Sequence, residues 1–226
     1  MSAKRRGVGG TDVGPIVALY MPHLADELAK YATASDVWLR IVHDIERPRT
    51  AVMGRGIDAE PRLRRAYLDA YGGTFDEKPT PWIVPHPRFP WATCSPDDVV
   101  TRDGERRLVE YKSTSIFARH KYGDAETDAI PYAYLLQTQW CMEILDLDAC
   151  DVFVGFGRDF KDEHDAHQFL YESTARYLVQ RDRELAAMCL DLCGRFQRDF
   201  VETRRPPSVA PASNKRAFAR LLKECA

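Results

Sequence analysis

Residues 108–114, "LVEYKST", place a glutamate and a lysine two positions apart in an otherwise strand-like run. Leu108, Val109 and Tyr111 suit a pleated strand. Strand side chains alternate with period 2, so Glu110 and Lys112 share one face while Val109 and Tyr111 share the other. Burying the charged face is costly unless a further partner neutralises it. A strong hairpin signal, Asp103-Gly104, lies just upstream. With these two residues at the centre of the turn, residue 102 faces 105, and the same register puts Asp97 opposite Glu110. Opposed residues hold their Cβ atoms about 4.5–5.5 Å apart, where two like charges destabilise a sheet. Two facing carboxylates therefore want a cation, and oxygen ligands suit Mg²⁺ or Mn²⁺. Lys112 projects one strand position further along, placed to hold an attacking water or to offset charge on a phosphate. Metal, water and lysine together describe phosphodiester hydrolysis. Taken alone, Glu110 and Lys112 read equally as a solvated sheet face, and Asp97 after "CSP" as an ordinary turn residue.

The elements that must position these residues follow from the chain pattern. "GVGGTDVGPIVAL" gives glycines and then a helix capped by Thr11 or Asp12, with Pro15 in its first turn. "TASDVWLRIVHDIE" reads as a second helix capped by Ser35. "AVMGRGIDAEPRLRRAYLDAYGG" reads as a third, ended by Gly72-Gly73, with Pro61 at its first turn or at a kink. Short proline-punctuated strands follow from residue 80, then the strands "DDVVT" and "RLVEYKS" and the helix "PYAYLLQTQWCMEIL". "DVFVGFG" and "HQFLYES" are two more strands, and residues 174–204 read as one long amphipathic helix. The order predicts a mixed α/β (α+β) fold with a central sheet flanked by helices. Residues 1–205 form a single domain, and 206–226 a proline-containing linker with a short basic helix.

The bulk composition narrows the classes. With 226 residues, 45% hydrophobic and 29% charged, one globular domain has ample length for a core. The formal net charge of −2 means that any nucleic-acid contact must use local basic patches. No run of eighteen apolar residues occurs, and "MSAKRRGVGG" lacks the apolar stretch of a signal peptide, so a cytoplasmic location with no membrane contact is expected. The six cysteines form no CxxC pair, which argues against a zinc ribbon, and Cys189 and Cys193 read as a core-facing helical pair.

"MGRGIDAE", "ATCSPDDVV", "LVEYKST" and "LLQTQW" occur in that order. The ordered set resembles the phage lambda exonuclease and YqaJ-type viral recombinase family, within the PD-(D/E)xK nuclease superfamily, from about residue 5 to about 145. The resemblance implies a restriction-endonuclease-like core. It implies metal binding by Asp97, by Glu110 and by the backbone carbonyl of Tyr111, with Lys112 orienting or activating water. Glu60, four residues after Gly56, lies near the metal, through water. Of the "QTQ" pair, Gln139 is expected to face the active site and Gln137 to support it. "RRGVGGTD" aligns with a 5′-phosphate-binding segment, which maps to Arg5 and Thr11; a helix start behind two glycines offers free N–H groups to an anion. Asp98 stands where the family usually has glycine, and by strand alternation it points away from Asp97.

By the resemblance, the activity is a Mg²⁺-dependent (or Mn²⁺-dependent) 5′-to-3′ exonuclease on double-stranded DNA ends. It releases 5′-phosphomononucleotides and leaves 3′ single-stranded overhangs for phage-type recombination. A homotrimeric ring and a single-strand annealing protein as partner are implied in the same way, with the host cytoplasm as the location. The alternatives are another PD-(D/E)xK nuclease, acting on single strands or as an endonuclease, and a catalytically silent DNA-end-binding module.

Overall fold

A computed structural model describes residues 7–79, 82–161 and 167–224. The chain opens with α1 (Gly10–Tyr20), a short 3₁₀ turn, α2 (Ala25–Leu28), α3 (Ala34–His43) and the long α4 (Ala51–Tyr71). Then come β1 (Thr74–Phe75), β2 (Val84–Pro85), β3 (Thr93–Cys94), β4 (Asp98–Arg102) and β5 (Glu105–Ser115). A 3₁₀ segment leads to α5 (Tyr132–Leu145), β6 (Ala149–Lys161), β7 (His167–Gln180), α6 (Arg183–Phe196) and α7 (Lys215–Glu224).

Five strands form one sheet in the order β1-β4-β5-β6-β7, while β2 and β3 pair separately. β5 runs antiparallel to β4 and parallel to β6, so the sheet is mixed, and α5 makes the crossover that a parallel pair requires. The two sheet faces bury different sets, as period-2 alternation demands. Val109, Tyr111 and Phe153 pack with Val100 against Ala59, Leu63 and Tyr67 of α4. Leu108, Val152, Val154 and Phe156 face the larger core shared with α1, α3, α5 and α6, in which Trp38 and Trp140 are fully buried. The mixed α+β, helix-flanked sheet expected from the sequence is the one observed.

Local chemistry explains the departures from the expected elements. α1 is capped by Asp12, whose Oδ2 accepts from Gly9 N at 2.7 Å, and not by Thr11. α3 is capped at Thr33 by a capping box with Asp36, while the Ser35 hydroxyl is engaged by the Val209 carbonyl. Pro61 lies in the interior of an unbroken α4. Its missing N–H leaves the carbonyl one turn back, that of the exposed Ile57, without its usual helical donor. The long helix expected over 174–204 is divided. Residues up to Gln180 extend β7, which pairs with β6 to the end (Ala149↔Gln180). α6 starts only after Asp182, whose Oδ1 caps Glu184 N and Leu185 N. Sheet pairing outweighs helix propensity there.

The proline-containing stretch expected as a linker is bound to the body of the protein. Asp36 accepts from Ala212 N and from the N–H and hydroxyl of Ser213, and Thr33 Oγ1 donates to the Ala210 carbonyl. Beyond it α7 buries Phe218 edge-on against Trp38. Cys189 and Cys193 are both buried in the core.

Candidate active site

The β4–β5 turn sets the site. Asp103 and Gly104 both have positive φ, 52° and 82°, as a type I′ hairpin requires, and the register begins with Arg102↔Glu105. It continues to Asp98↔Val109, so the next position puts Asp97 across from Glu110. Pro96 precedes them and has no N–H to give, and β4 begins only at Asp98. β5 outruns its neighbour. The ladder bond missing at Tyr111 is replaced by a side chain: Asp97 Oδ2 accepts from Tyr111 N at 2.8 Å.

Glu110 is buried, only 3% exposed, on the α5 side of the sheet. Its Oε1 accepts from Lys112 Nζ at 2.7 Å and also from Gln137 Nε2, and the Gln137 Oε1 accepts from Lys112 Nζ at 3.0 Å. The Lys112 ammonium also lies 4.7 Å from the centre of the Tyr134 ring. Glu110 Oε2 is buried with no hydrogen-bond partner among the described residues. An ionised oxygen in that condition is expensive and marks a place where a cation belongs.

The electrostatics agree. Burial pushes the Asp97 carboxyl well above the usual carboxylate range, with the Glu110 and Glu60 charges adding to the shift and Lys112 and the Tyr111 N–H opposing it. Burial alone would lower the Lys112 pKa, but the carboxylates of Glu110 and Asp97 more than offset it, so it is raised. Lys112 is therefore a fixed ammonium. Among the described residues no three His, Cys, Asp or Glu side chains form a ready-made metal cage. Two facing carboxylates with an orphaned oxygen do fit Mg²⁺, which keeps several waters and is held by one or two acids plus phosphate oxygens.

Glu60 comes from α4, on the other side of the cleft. Its Oε1 accepts from Lys78 Nζ at 2.9 Å, and the same ammonium donates to the Asp97 carbonyl at 2.7 Å. Asp98, fully buried, faces α4 as expected, where its Oδ2 accepts from Arg64 Nε at 2.8 Å and from the Tyr111 hydroxyl at 3.1 Å. Glu60 and Arg64 are one helical turn apart, so the Arg64–Asp98 pair docks the part of α4 that presents Glu60.

One expectation is reversed. Gln139 does not face the cleft: its Nε2 donates to the Gln180 carbonyl and its Oε1 accepts from Asp182 N, both 2.8 Å, tying α5 to the β7–α6 junction. Gln137 is the glutamine in the cluster. Two residues on a helix are about 200° apart in rotation, so only one of the pair can face the site. Gly10 allows this packing, because a Cβ there would stand 2.9 Å from Gln137 Cγ and 3.3 Å from Cys141 Sγ.

Thr11 is exposed in the first turn of α1 and lines a cleft of about 180 Å³ with Asp12, Asp36, Arg40, Arg47 and Met53. Asp12, at the same helix start, is paired with Arg40 at 2.7 Å. Arg5 lies outside the described residues. Lys78, Tyr134 and Arg64 had no signal in the sequence, because none belongs to the ordered motifs and their contacts with Asp97, Lys112 and Asp98 depend on tertiary packing.

Solved structures share this architecture. LHK-Exo, an alkaline exonuclease from Laribacter hongkongensis, determined in complex with dAMP, superposes with a TM-score of 0.62 at 17% identity, over 99% of this chain and 96% of its own. A phage-related exonuclease from Haemophilus somnus 129PT gives 0.63 at 13% identity, over 87% of this chain and 94% of its own. A SOX–DNA complex gives 0.51 at 10% identity, over 89% and 68%. At such identities the likeness is one of fold. No curated protein sequence matches the chain significantly. The profile of the YqaJ-like viral recombinase domain matches residues 1–148, the stretch that carries Glu60, Asp97, Glu110, Lys112 and Gln137. With that match covering well over half of the sequence, the chain belongs to the family of YqaJ-like viral recombinase domains.

Proposed function

We propose that this chain is a divalent-metal-dependent exonuclease that digests one strand of duplex DNA from a 5′ end and leaves a 3′ overhang for phage-type recombination. The observation that carries the reading is the Asp97–Glu110 pair: the register that reaches Asp98↔Val109 brings the two carboxylates near each other beside β5, where the Glu110 charge acts on Asp97, one oxygen of Glu110 is buried without a partner among the described residues, and an ammonium stands beside them. Family membership and the exonuclease fold support the same class of chemistry.

Asp97, Glu110 and the Tyr111 carbonyl would hold Mg²⁺ or Mn²⁺, with Glu60 joined through water. A bound ion supplies Lewis acidity at the phosphate and lowers the pKa of its water. The remaining work belongs to this chain. Lys112, locked by Glu110 and Gln137, holds the attacking water in line with the phosphorus and offsets charge as it builds on the phosphate. Gln137 holds Glu110 in one rotamer and leaves Oε2 to the metal. Hydrolysis then yields a 5′-phosphomononucleotide and a 3′-hydroxyl.

The cleft beside α1, with Thr11 exposed at the helix start, is where the 5′-phosphate would rest, and the family resemblance adds Arg5 as its second ligand. A homotrimeric ring threaded by DNA in the host cytoplasm, passing its product to a single-strand annealing protein, completes the reading.

The test is a time course on duplexes labelled at either end, carrying 5′-phosphate or 5′-hydroxyl. Mononucleotide release from the 5′-phosphorylated strand with Mg²⁺, abolished by EDTA and by Lys112→Ala, is the expected result. Binding of duplex ends without cleavage in any divalent metal would overturn it.

A further inference from the structure

Lys78 is unused by the chemistry proposed above, yet it touches two of its components. It sits between β1 and β2 in the sequence "DEKP" and reaches across to the cleft. Its ammonium bonds Glu60 Oε1 of α4 and the main-chain carbonyl of Asp97 at the start of the hairpin. An ordinary exposed ion pair would hold its partner loosely and matter little. Here the second contact is different in kind, because the acceptor is the carbonyl of the residue that supplies a metal-binding carboxylate. One carboxylate oxygen and one carbonyl oxygen from separate elements, gathered about a single positive charge, are the donor types a hard divalent cation takes.

The charges along the cleft reinforce this. Three acids, Glu60, Asp97 and Glu110, border the cleft, and the Lys78 ammonium bridges two of these residues through Glu60 Oε1 and the Asp97 carbonyl. Lys112 meets the charge of Glu110 at one end and Lys78 meets that of Glu60 at the other. Lys112 is largely enclosed, with its side chain 15% exposed, whereas that of Lys78 is 38% exposed and its route out to solvent is open. The two lysines therefore differ in what they can do: one is fixed, and the other can leave.

We infer that Lys78 is a counter-cation for the Glu60 side of the metal position and competes with the divalent ion for it. An ammonium and a divalent ion at adjacent positions repel strongly in a partly desolvated cleft. Metal loading releases Lys78 from Glu60 and from the Asp97 carbonyl, and the strand connection that carries it loosens. The effect is to raise the metal concentration the site needs, so that the carboxylates are held in place but not committed until a divalent ion and its phosphate arrive together. This inference rests on the metal-site reading above, and the experiment separates the two.

Mn²⁺ binding to the full chain is measured by isothermal titration calorimetry without DNA, in wild type, Lys78→Met and Asp97→Asn. Lys78→Met is expected to bind Mn²⁺ about tenfold more tightly than wild type, and Asp97→Asn to lose binding. Amide exchange over residues 76–79, followed by mass spectrometry, is expected to quicken in wild type when Mn²⁺ is added and to be fast in Lys78→Met from the outset. Equal or weaker Mn²⁺ affinity in Lys78→Met, with binding still dependent on Asp97, overturns the role of Lys78 alone. Slower exchange in wild type on adding Mn²⁺ also overturns it. Wild-type binding that survives Asp97→Asn, or no binding at all, overturns the metal-site reading and this inference with it.

Discussion

Asp97 and Asp98 are neighbours in the chain and face opposite sides of the hairpin, Asp97 accepting from the Tyr111 main chain and Asp98 from Arg64 and the Tyr111 hydroxyl. Their substitutions should separate function from stability. Asp97→Asn keeps an acceptor for Tyr111 N and removes a charge that burial and Glu110 disfavour. It is expected to lower turnover by more than about a hundredfold, while the urea midpoint in EDTA stays level or rises. Asp98→Ala strands Arg64 and a buried hydroxyl, and is expected to cost roughly 3 kcal/mol. Paired assays of nuclease rate and urea denaturation check both.

The two glutamines of α5 make a second contrast. Gln137→Ala frees Glu110 Oε1 and Lys112 from a shared partner, and is expected to reduce kcat about ten- to a hundredfold, as loss of a residue that orients a metal ligand does. Gln139→Ala removes two hydrogen bonds to the β7–α6 junction and should lower stability by about 1–2 kcal/mol with kcat nearly intact. The reverse pattern would put Gln139 in the chemistry after all.

His86 provides a pH signature away from the cleft. It is buried, and its Nδ1 accepts from Arg88 N and Phe89 N, which only the neutral ring can do. Burial lowers its pKa, with Glu143 opposing the shift. A histidine with a depressed folded pKa contributes stability that is complete above its unfolded value near 6.5, and that is lost as the pH falls through the folded value. The urea midpoint should therefore drop as the pH falls below about 6.5, and His86→Gln should flatten the histidine part of that drop. A midpoint with the same slope in both proteins between pH 6.5 and 5 counts against it.

Much of the site was legible because it rests on local rules. Asp103-Gly104 fixes the turn, the turn fixes the register, and the register brings Asp97 to Glu110 without any tertiary information. Strand alternation likewise sends Asp98 to α4. What failed depended on contacts across the fold. Which of Gln137 and Gln139 faces the cleft is decided by the rotation of α5 against α1, at Gly10, and no pattern within "LLQTQW" contains it. The first turns of the helix expected over 174–204 became strand because β6 is long enough to pair with them. Lys78 sits among polar residues, where a lysine has no distinguishing neighbour.

The C-terminal stretch shows how composition misleads about attachment. "PPSVAPAS" has the composition of a free linker, yet Asp36 holds its end through Ala212 N and Ser213 while also capping α3 through Thr33 N. The proline-rich segment costs little entropy to order, since its φ values are already restricted, so a few charge-assisted hydrogen bonds suffice to fix it. Asp36→Ala removes the acceptor for donors on both segments and is expected to destabilise the fold by about 3 kcal/mol. It should also loosen the C-terminal segment before the rest unfolds, because what then holds it is the packing of Phe218 and Leu221 and the hydrogen bonds of Val209, Ala210 and Asn214. Trypsin at Arg204 is the direct measurement, since Arg205 precedes Pro206: cleavage of the Arg204–Arg205 bond should accelerate in Asp36→Ala under conditions where nuclease activity persists. Equal cleavage rates would mean that the apolar contact, and not the carboxylate, holds the tail.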